Sequence, residues 1–491
     1  MADNLASISP IQKELYEGGV NDWLSFNRKR AWNFFGKESA EGGQAPAAGS
    51  STPPSRSSHF SAFVGYNATG GAQDPDVSFP TAGSNSYKQA SYSGRTMYWP
   101  SMLTRSALRN SRGSRAAFAS LLSESALRAA QYVDIELERY ILGDGSGTLG
   151  VISSNTSEDP EGTNNTFYLT NRVDARKFQV GMYINVWSAR TAGATQRVFD
   201  DSPVLYHAEV TGVNLETGMI TLRTAPTDNL DGTFTIAAGD VITKANDQNT
   251  SNNYVGARSS TVRYEPMGID GIISDRDSPM ESGSTYGGLY GILAPSDAGG
   301  SANTGGVSAW ASYVNRVSSG SRAYNDTLIQ LALAEAQVRS GYTPNVIFTS
   351  YGGDIAVWDA RQGIRRSVNE QGISGGTSPG KKENQEQGTY IEFGNMIPVV
   401  PCRFAPVGID STTATSAYTA RTYTTSFLCA YTPMIKVKEW HKVRLLDDDG
   451  QVLRMQARTA QFESVLEYQM ETIALQRNCH AKVTDIVCQP I

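Results

Sequence analysis

Ser114–Leu142, "SRAAFASLLSESALRAAQYVDIELERYIL", constrains this chain more than any other stretch. Phe118, Leu122, Ala126, Ala129, Val133, Leu137 and Tyr140 recur at spacings of three and four, which places them on one face of a helix. Ser114 is the expected N-cap, and Glu124 stands four residues before Arg128, the favourable order for a helical ion pair. At 1.5 Å per residue the helix would run roughly 40 Å, well beyond an average helix. The alanines in the stripe imply a close neighbour. The stripe holds no His or Cys, so it is a packing face and not a metal or cofactor face.

The helix runs into "GDGSGTLGVISS", where Gly145-Ser-Gly147-Thr-Leu-Gly150 fits G-x-G-x-x-G. A phosphate loop follows a strand and opens a helix, because the helix N-terminus attracts the anion. Here the glycines follow a helix, whose C-terminus carries partial negative charge. No Gly-Lys-Ser/Thr follows, and Asp144-Gly-Ser-Gly-Thr has too few carboxylates for a calcium loop. The expected role is a stop, with Gly143 past the helix end at positive φ.

The length of 491 residues implies about two to four domains. Forty-seven glycines, above the usual share, imply many turns and long excursions. The net charge of −6 is mild, but charge is unevenly placed. Thr81–Arg115 carries Lys88, Arg95, Arg105, Arg109, Arg112 and Arg115 with no carboxylate. Val151–Thr250 carries seven basic and twelve acidic side chains. One segment is a basic arm and the other an acidic module. Cys402, Cys429, Cys479 and Cys488 form no CxxC pair and read as buried free thiols in a reducing compartment. No leader-like apolar region opens the chain and no run is long enough to span a bilayer, so the expectation is a soluble protein made in the cytoplasm with no membrane partner.

Residues 1–58 read as an extended arm. Gly42–Ser58 is rich in Pro, Gly and Ser and cannot bury enough surface to fold alone. Trp23, Phe26, Trp32, Phe34 and Phe35 surround Arg28-Lys29-Arg30, a segment that either packs on protein or stacks on nucleic acid. His59–Ala68 and Tyr87–Leu103 read as two strands of a hairpin with little aliphatic residue for a core of its own, and such a hairpin needs a surface to lie on. From Thr166 to about Ala245 short strands with turns, one closed by "NLETG", read as a small inserted all-β barrel facing solvent. Beyond a Gly- and Ser-rich stretch, "NDTLIQLALAEAQVRSG" reads as a helix with Asn325 as N-cap and Gly341 as C-cap. "NVIFTS" reads as a buried strand, "YGGDIAVWDARQ" as a second helix and Gly372–Gly388 as a polar loop. "TYIEFGNMIPVVP" reads as a hairpin turning at Gly394-Asn395, and a β-rich region closes the chain.

No catalytic motif survives its context. Gly372–Gly376 fits G-x-S-x-G around Ser374, but a nucleophile elbow needs a strand before it and a helix after it. His59, His207, His441 and His480 are isolated, and Cys479-His480 has no second pair at ligand spacing. Asp447–Gly450 reads as a solvated turn. The expectation is a chain that builds rather than catalyses, with no enzyme activity, catalytic residue, cofactor or metal.

An N-terminal arm, an extended basic hairpin, a long helix ending "LERYILGDGSG", a helix–strand–helix region and the close "LQRNCHAKVTDIV" together resemble a tailed-phage major capsid protein of the Hong Kong 97 phage capsid fold. The resemblance covers about 60–150 and 254–487. It implies an α+β chain divided into an extended arm at 1–58, an E-loop hairpin at 59–112, and a spine helix with the start of a peripheral domain at 113–159. An inserted β domain at 160–248, peripheral strands and connections at 249–320, an axial domain at 321–410 and C-terminal β segments at 411–491 complete it. It implies hexamers and pentamers in an icosahedral head, assembled in host cytoplasm with scaffolding, portal and decoration proteins, with DNA held by non-specific contact. The E-loop would lie across a neighbouring subunit. Lys88, Arg95, Tyr98, Trp99 and Arg105 are its candidate contacts, and Asp134, Glu136 and Glu138 the candidate acceptors. Two other readings stay open at this point: an encapsulin-like cargo shell, and a nucleic-acid-binding protein using the basic aromatic segments.

Overall fold

A computed structural model describes residues 31–40, 57–65, 86–104, 131–153, 166–188, 200–201, 204–205, 207–223, 238–244, 265–277, 288–297, 300–370, 389–410, 421–445, 454–455 and 461–489. The chain divides into two units, one of Met1–Phe60, Ser91–Ile141 and Ile435–Ala474, the other of Ser61–Ala90, Leu142–Met434 and Leu475–Ile491. Strands predominate, with a few helices, in an α+β chain.

In the first unit a five-stranded sheet is built on Gln461–Ala474. This strand pairs antiparallel with Ile435–Leu445, with Arg454–Met455 and with Arg95–Thr104, and Gly36–Ser39 adds in parallel to Ile435–Leu445. Met97 and Trp99 stand opposite Tyr468 and Leu466, and all four are buried, so they share one covered face. Tyr87–Leu103 was expected as one strand with no core of its own. The chain instead breaks at Gly94, and Arg95–Thr104 joins the five-stranded sheet. A Cβ at Gly94 would stand 2.5 Å from Cε3 of Trp440, so only glycine lets the ring close over the break.

Residues 131–142 form helix α1. Val133, Leu137 and Tyr140 of the expected stripe are buried, and so are Asp134, Glu136, Glu138 and Arg139. The helix is thus covered on more than its apolar face, with the Arg139 guanidinium 3.0 Å from Glu136. The rest of the expected helix, residues 114–130, lies outside the described residues.

In the second unit a seven-stranded mixed sheet runs in the order Tyr313–Asn315, Ala481–Cys488, Tyr423–Ala430, Val346–Thr349, Asn395–Pro401, Thr389–Phe393, with Val407–Ile409 beside Tyr423–Ala430. Helix α2 (Asp326–Ser340) begins where Asn325 Oδ1 accepts the Thr327 N–H at 3.0 Å and ends where Gly341 takes φ 79°. Ile329, Ala332, Leu333 and Ala336 form its buried face, at the one-face spacing of a helix. They join Ile347, Phe427, Cys429 and Val483 of the sheet and Val357 of helix α3 (Tyr351–Glu370) in one core. Asp326 ties α2 to α3 through Arg361 Nη2 at 3.1 Å.

A six-stranded antiparallel sheet in this unit runs Thr148–Val151, Val241–Lys244, Tyr183–Trp187, Ala208–Asn214, Met219–Leu222, Thr166–Tyr168. Its ends meet, since Ser153 donates to Tyr168 O and Thr170 to Val151 O, each at 2.8 Å. Leu149, Phe167, Ile184, Val210, Ile220 and Ile242 fill it. Its first strand starts ahead of residue 160, directly after the glycines that follow α1.

The short 3₁₀ turn Arg172–Lys177 fastens this module to the seven-stranded sheet. Asn171 Nδ2 donates to Val407 O at 2.6 Å while its Oδ1 caps Val173 N–H at 3.1 Å. Arg176 reaches Ala405 O at 2.9 Å and Arg421 reaches Thr170 O at 2.5 Å. Removing Asn171 strands a buried carbonyl and a cap donor together. Asn171→Ala is expected to cost about 1–3 kcal/mol, read as a shift in the urea midpoint, with Asn171→Asp recovering only the cap.

Candidate assembly surfaces

Ser57–Gly65 and Ser86–Ser93 form a two-stranded ribbon of their own. Phe63 and Tyr87 meet edge to face at 5.7 Å, and Phe60 and Tyr92 at 5.8 Å. Lys88 is exposed, and Tyr87 keeps 58% of its surface in solvent, a large exposure for an aromatic side chain. The remaining candidate contacts separate. Arg95 is half-buried beside Gly94, and Trp99 is in the five-stranded core at 4% exposure while Tyr98 presents 56% on the opposite face. Strand alternation alone explains that split. Arg105 lies outside the described residues.

Asp134, Glu136 and Glu138 are placed differently from the sequence expectation of exposed acceptors. They are 3%, 1% and 5% exposed, so their carboxylates are turned into the chain itself. A strand docking from outside would meet other side chains first. The helical repeat of the apolar stripe could not reveal this, because it reports the one face that must be buried and not how many faces are.

The glycine motif folds into a tight polar turn. Asp144 Oδ1 accepts from the Ser146 N–H at 3.1 Å and from its hydroxyl at 2.6 Å. Ser146 Oγ in turn contacts Thr148 Oγ1 at 2.9 Å. Positive φ falls on Gly145 and Gly147, at 76° and 70°, rather than on Gly143. With the Asp144 side chain holding the turn, the first positive φ comes two residues later than a simple helix stop would place it.

The residues with active-site chemistry lie on separate elements. Ser374 and the Gly372–Gly388 loop lie outside the described residues. His59 is exposed on the ribbon, His207 packs 5.5 Å from Tyr183, and His441 sits in the five-stranded sheet. Among these residues as described, Cys479 and His480 meet, Sγ to Nε2 at 3.4 Å. His480 Nδ1 accepts the Tyr431 N–H at 3.1 Å, so the ring proton sits on Nε2 and points at sulfur. Burial pushes the Cys479 thiol up to about 12. Burial, with the nearby Arg477 charge, drives His480 down to about 3. A nucleophilic pair needs the opposite shifts, an easily formed thiolate and a basic imidazole. Cys429 and Cys488 are raised to about 12 and about 11 by burial. Among the described residues no group of His, Cys, Asp and Glu is arranged to hold a metal ion, and no helix is long and apolar enough to cross a membrane.

One feature was missed by the sequence reading. Arg477, fully buried, directs its guanidinium at the carbonyls of Ile272 (2.9 Å), Trp310 (3.0 Å), Ser274 (2.9 Å), Arg276 (3.3 Å) and Gly271 (3.5 Å). It gathers the single helical turn Ile269–Ile272 and the Trp310 turn onto the end of the seven-stranded sheet. The only sequence signal for it was the unusual polar run "QRNCH" between two apolar strands.

No family model matches the sequence, and no curated protein does. Among solved structures, the chain is similar to the capsid asymmetric unit of cyanophage A-1(L), at 10% identity and TM-score 0.37, over 88% of each chain. It is similar to the capsid of Ralstonia phage GP4, at 7% identity and TM-score 0.37, over 95% of this chain and 92% of that one. Similarity to the SrpI encapsulin of Synechococcus elongatus PCC 7942 covers 35% of this chain and 53% of that one, at 10% identity and TM-score 0.22.

Proposed function

We propose that this chain is the major capsid protein of a tailed phage, a structural subunit that assembles as hexamers and pentamers into an icosahedral shell around double-stranded DNA. The ribbon carries the reading. A two-stranded ribbon is marginal in water on its own, and this one exposes Tyr87 and Lys88. Tyr92 already packs on Trp440 at 5.5 Å, and another subunit would cover the face that Tyr87 and Lys88 leave open. In this reading Ser57–Gly65 and Ser86–Ser93 are the E-loop and α1 is the end of the spine helix. The seven-stranded sheet with α2 and α3 is the axial domain, and the six-stranded sheet is the inserted β barrel. Lys88, Tyr87 and Tyr98 are the inter-subunit contacts. Scaffolding, portal and decoration proteins and the packaged genome are the partners the resemblance brings with it.

The test is negative-stain microscopy of the expressed chain, with and without a co-expressed scaffolding protein. Closed shells or hexameric sheets are expected. Tyr87→Asp with Lys88→Glu is expected to cut the yield of assembled particles at least roughly tenfold, the loss typical of an anchoring aromatic. The unfolding midpoint of the subunit should fall only slightly, because Lys88 is exposed and Tyr87 gives up one edge contact with Phe63. A chain that stays monomeric under all these conditions, or a double variant that assembles normally, would sink the reading.

A further inference from the structure

The strand that closes one edge of the five-stranded sheet comes from the far end of the chain. Gly36–Ser39 lies parallel to Ile435–Leu445, with Gly36 opposite Lys436 and Ser39 opposite Glu439. Four residues of parallel ladder hold weakly, and three of the four are exposed. Two other features hold the segment. The first is an aromatic anchor. Ala31, Trp32 and Phe35 are buried, and the Trp32 ring stands edge-on to Tyr468 at 5.9 Å. The second is ionic. Glu38 reaches Lys438 Nζ at 2.7 Å with one carboxylate oxygen and Lys436 Nζ at 3.2 Å with the other.

The sequence is arranged for this bridge. Lys436 and Lys438 are two apart on a strand, so both ammonium groups rise from the same face. Gly36 leaves the path open, since a Cβ there would stand 3.3 Å from Lys436 Nζ. Lys438 is also in register with Glu471 on the next strand. A row Glu38, Lys438, Glu471 therefore crosses three strands. If Glu38 departs, Lys438 stays in register with Glu471, and Lys436 keeps a quarter of its side chain in water. The carboxylate itself is partly in water, with 43% of its side chain exposed, so added salt reaches the bridge.

We propose that residues 31–39 are a releasable strap, latched by the Glu38 carboxylate between Lys436 and Lys438, and that its release bares the backbone edge of Ile435–Leu445. The proposal concerns a single chain and does not depend on the shell reading.

Cleavage after Lys37 by a lysine-specific protease reads the open strap, because the peptide bond lies inside the ladder. The experiment uses the purified full chain, mass spectrometry and a soluble reference peptide that corrects for the effect of salt on the protease. Raising salt from about 50 mM to about 500 mM is expected to speed this cleavage about three- to tenfold, the range two exposed ion pairs allow. Glu38→Arg should show fast cleavage already at low salt, slowing as salt screens its repulsion from the two lysines. In a second variant, Glu38→Cys with Lys438→Cys, oxidation should join the paired strands within one chain. It should abolish cleavage at every salt concentration until the disulfide is reduced. The proposal is overturned if Glu38→Arg is cleaved at the wild-type rate with the wild-type salt dependence. It is overturned equally if the oxidised double variant is cut as fast as the reduced one, or if its disulfide joins two chains.

Discussion

Arg477→Met is expected to destabilise the second unit by about 3–5 kcal/mol, because several buried carbonyls lose their donor at about 1–3 kcal/mol each. The guanidinium is always protonated and offers five N–H donors in a fixed fork. Five backbone carbonyls lie within hydrogen-bond distance of it. Methionine fills similar volume, so the loss is one of hydrogen bonding more than of packing. Each stranded carbonyl costs a share of its desolvation. Arg477→Lys should fall between the two, because an ammonium has three donors and no fork. Chemical denaturation followed by tryptophan fluorescence measures this, since Trp310 lies over the guanidinium, its ring centre 6.0 Å away. Equal midpoints for the wild type and the methionine variant would remove Arg477 from its place as the hub of this region.

Acid should weaken the same region through His480. The folded ring takes a proton only near pH 3, whereas in the unfolded chain it does so near its ordinary 6.5. Between those values the unfolded state holds the extra proton. Stability is therefore full above about pH 6.5 and falls as pH drops toward 3, by at most about 1.4 kcal/mol per pH unit from this group. The physical cause is burial first and the neighbouring Arg477 charge second. His480→Asn supplies an amide oxygen in place of the ring nitrogen that receives the Tyr431 N–H. It should be less stable at neutral pH yet lose stability more slowly in acid. The check is the unfolding free energy of both proteins at several pH values between about 7 and 4. Parallel acid limbs would assign the acid sensitivity to other groups.

Helix α2 shows what was legible from local pattern. Asn325 and Gly341 act within their own turn, and the 329, 332, 333, 336 spacing needs only helical geometry. The hairpin turning at Gly394, with φ 68°, was legible for the same reason. So was the turn after Asn214, where Gly218 takes φ 75°. The ribbon was legible as strands, but the break at Gly94 was not. Gly94 is explained by Trp440, a residue hundreds of positions later. The candidate contacts divided for a like reason. Tyr98 and Trp99 were both expected as contacts; strand period turns them to opposite faces, and Trp99 is covered on the face it shares with Leu466 of the next strand.

The sequence by itself determined the elements whose causes are local: a capped helix, turns at glycines, strand alternation, and a ribbon too poor in aliphatic residues to stand alone. Tertiary structure alone decided which polar groups are buried. Asp134, Glu136 and Glu138 look like solvated charges on a helix and are covered. Arg477 looks like a surface arginine, yet it holds carbonyls 167 to 206 positions away. Glu38 looks like part of a structureless arm and is bound by lysines some 400 positions on. Hydrogen bonds and ion pairs form between whatever the fold brings within about 3 Å, and no periodicity along the chain records that distance. The same holds for "YILGDGSGTLGVISS". Its order marked it as the end of a helix, but only the folded Asp144 turn decided which glycines bend the chain.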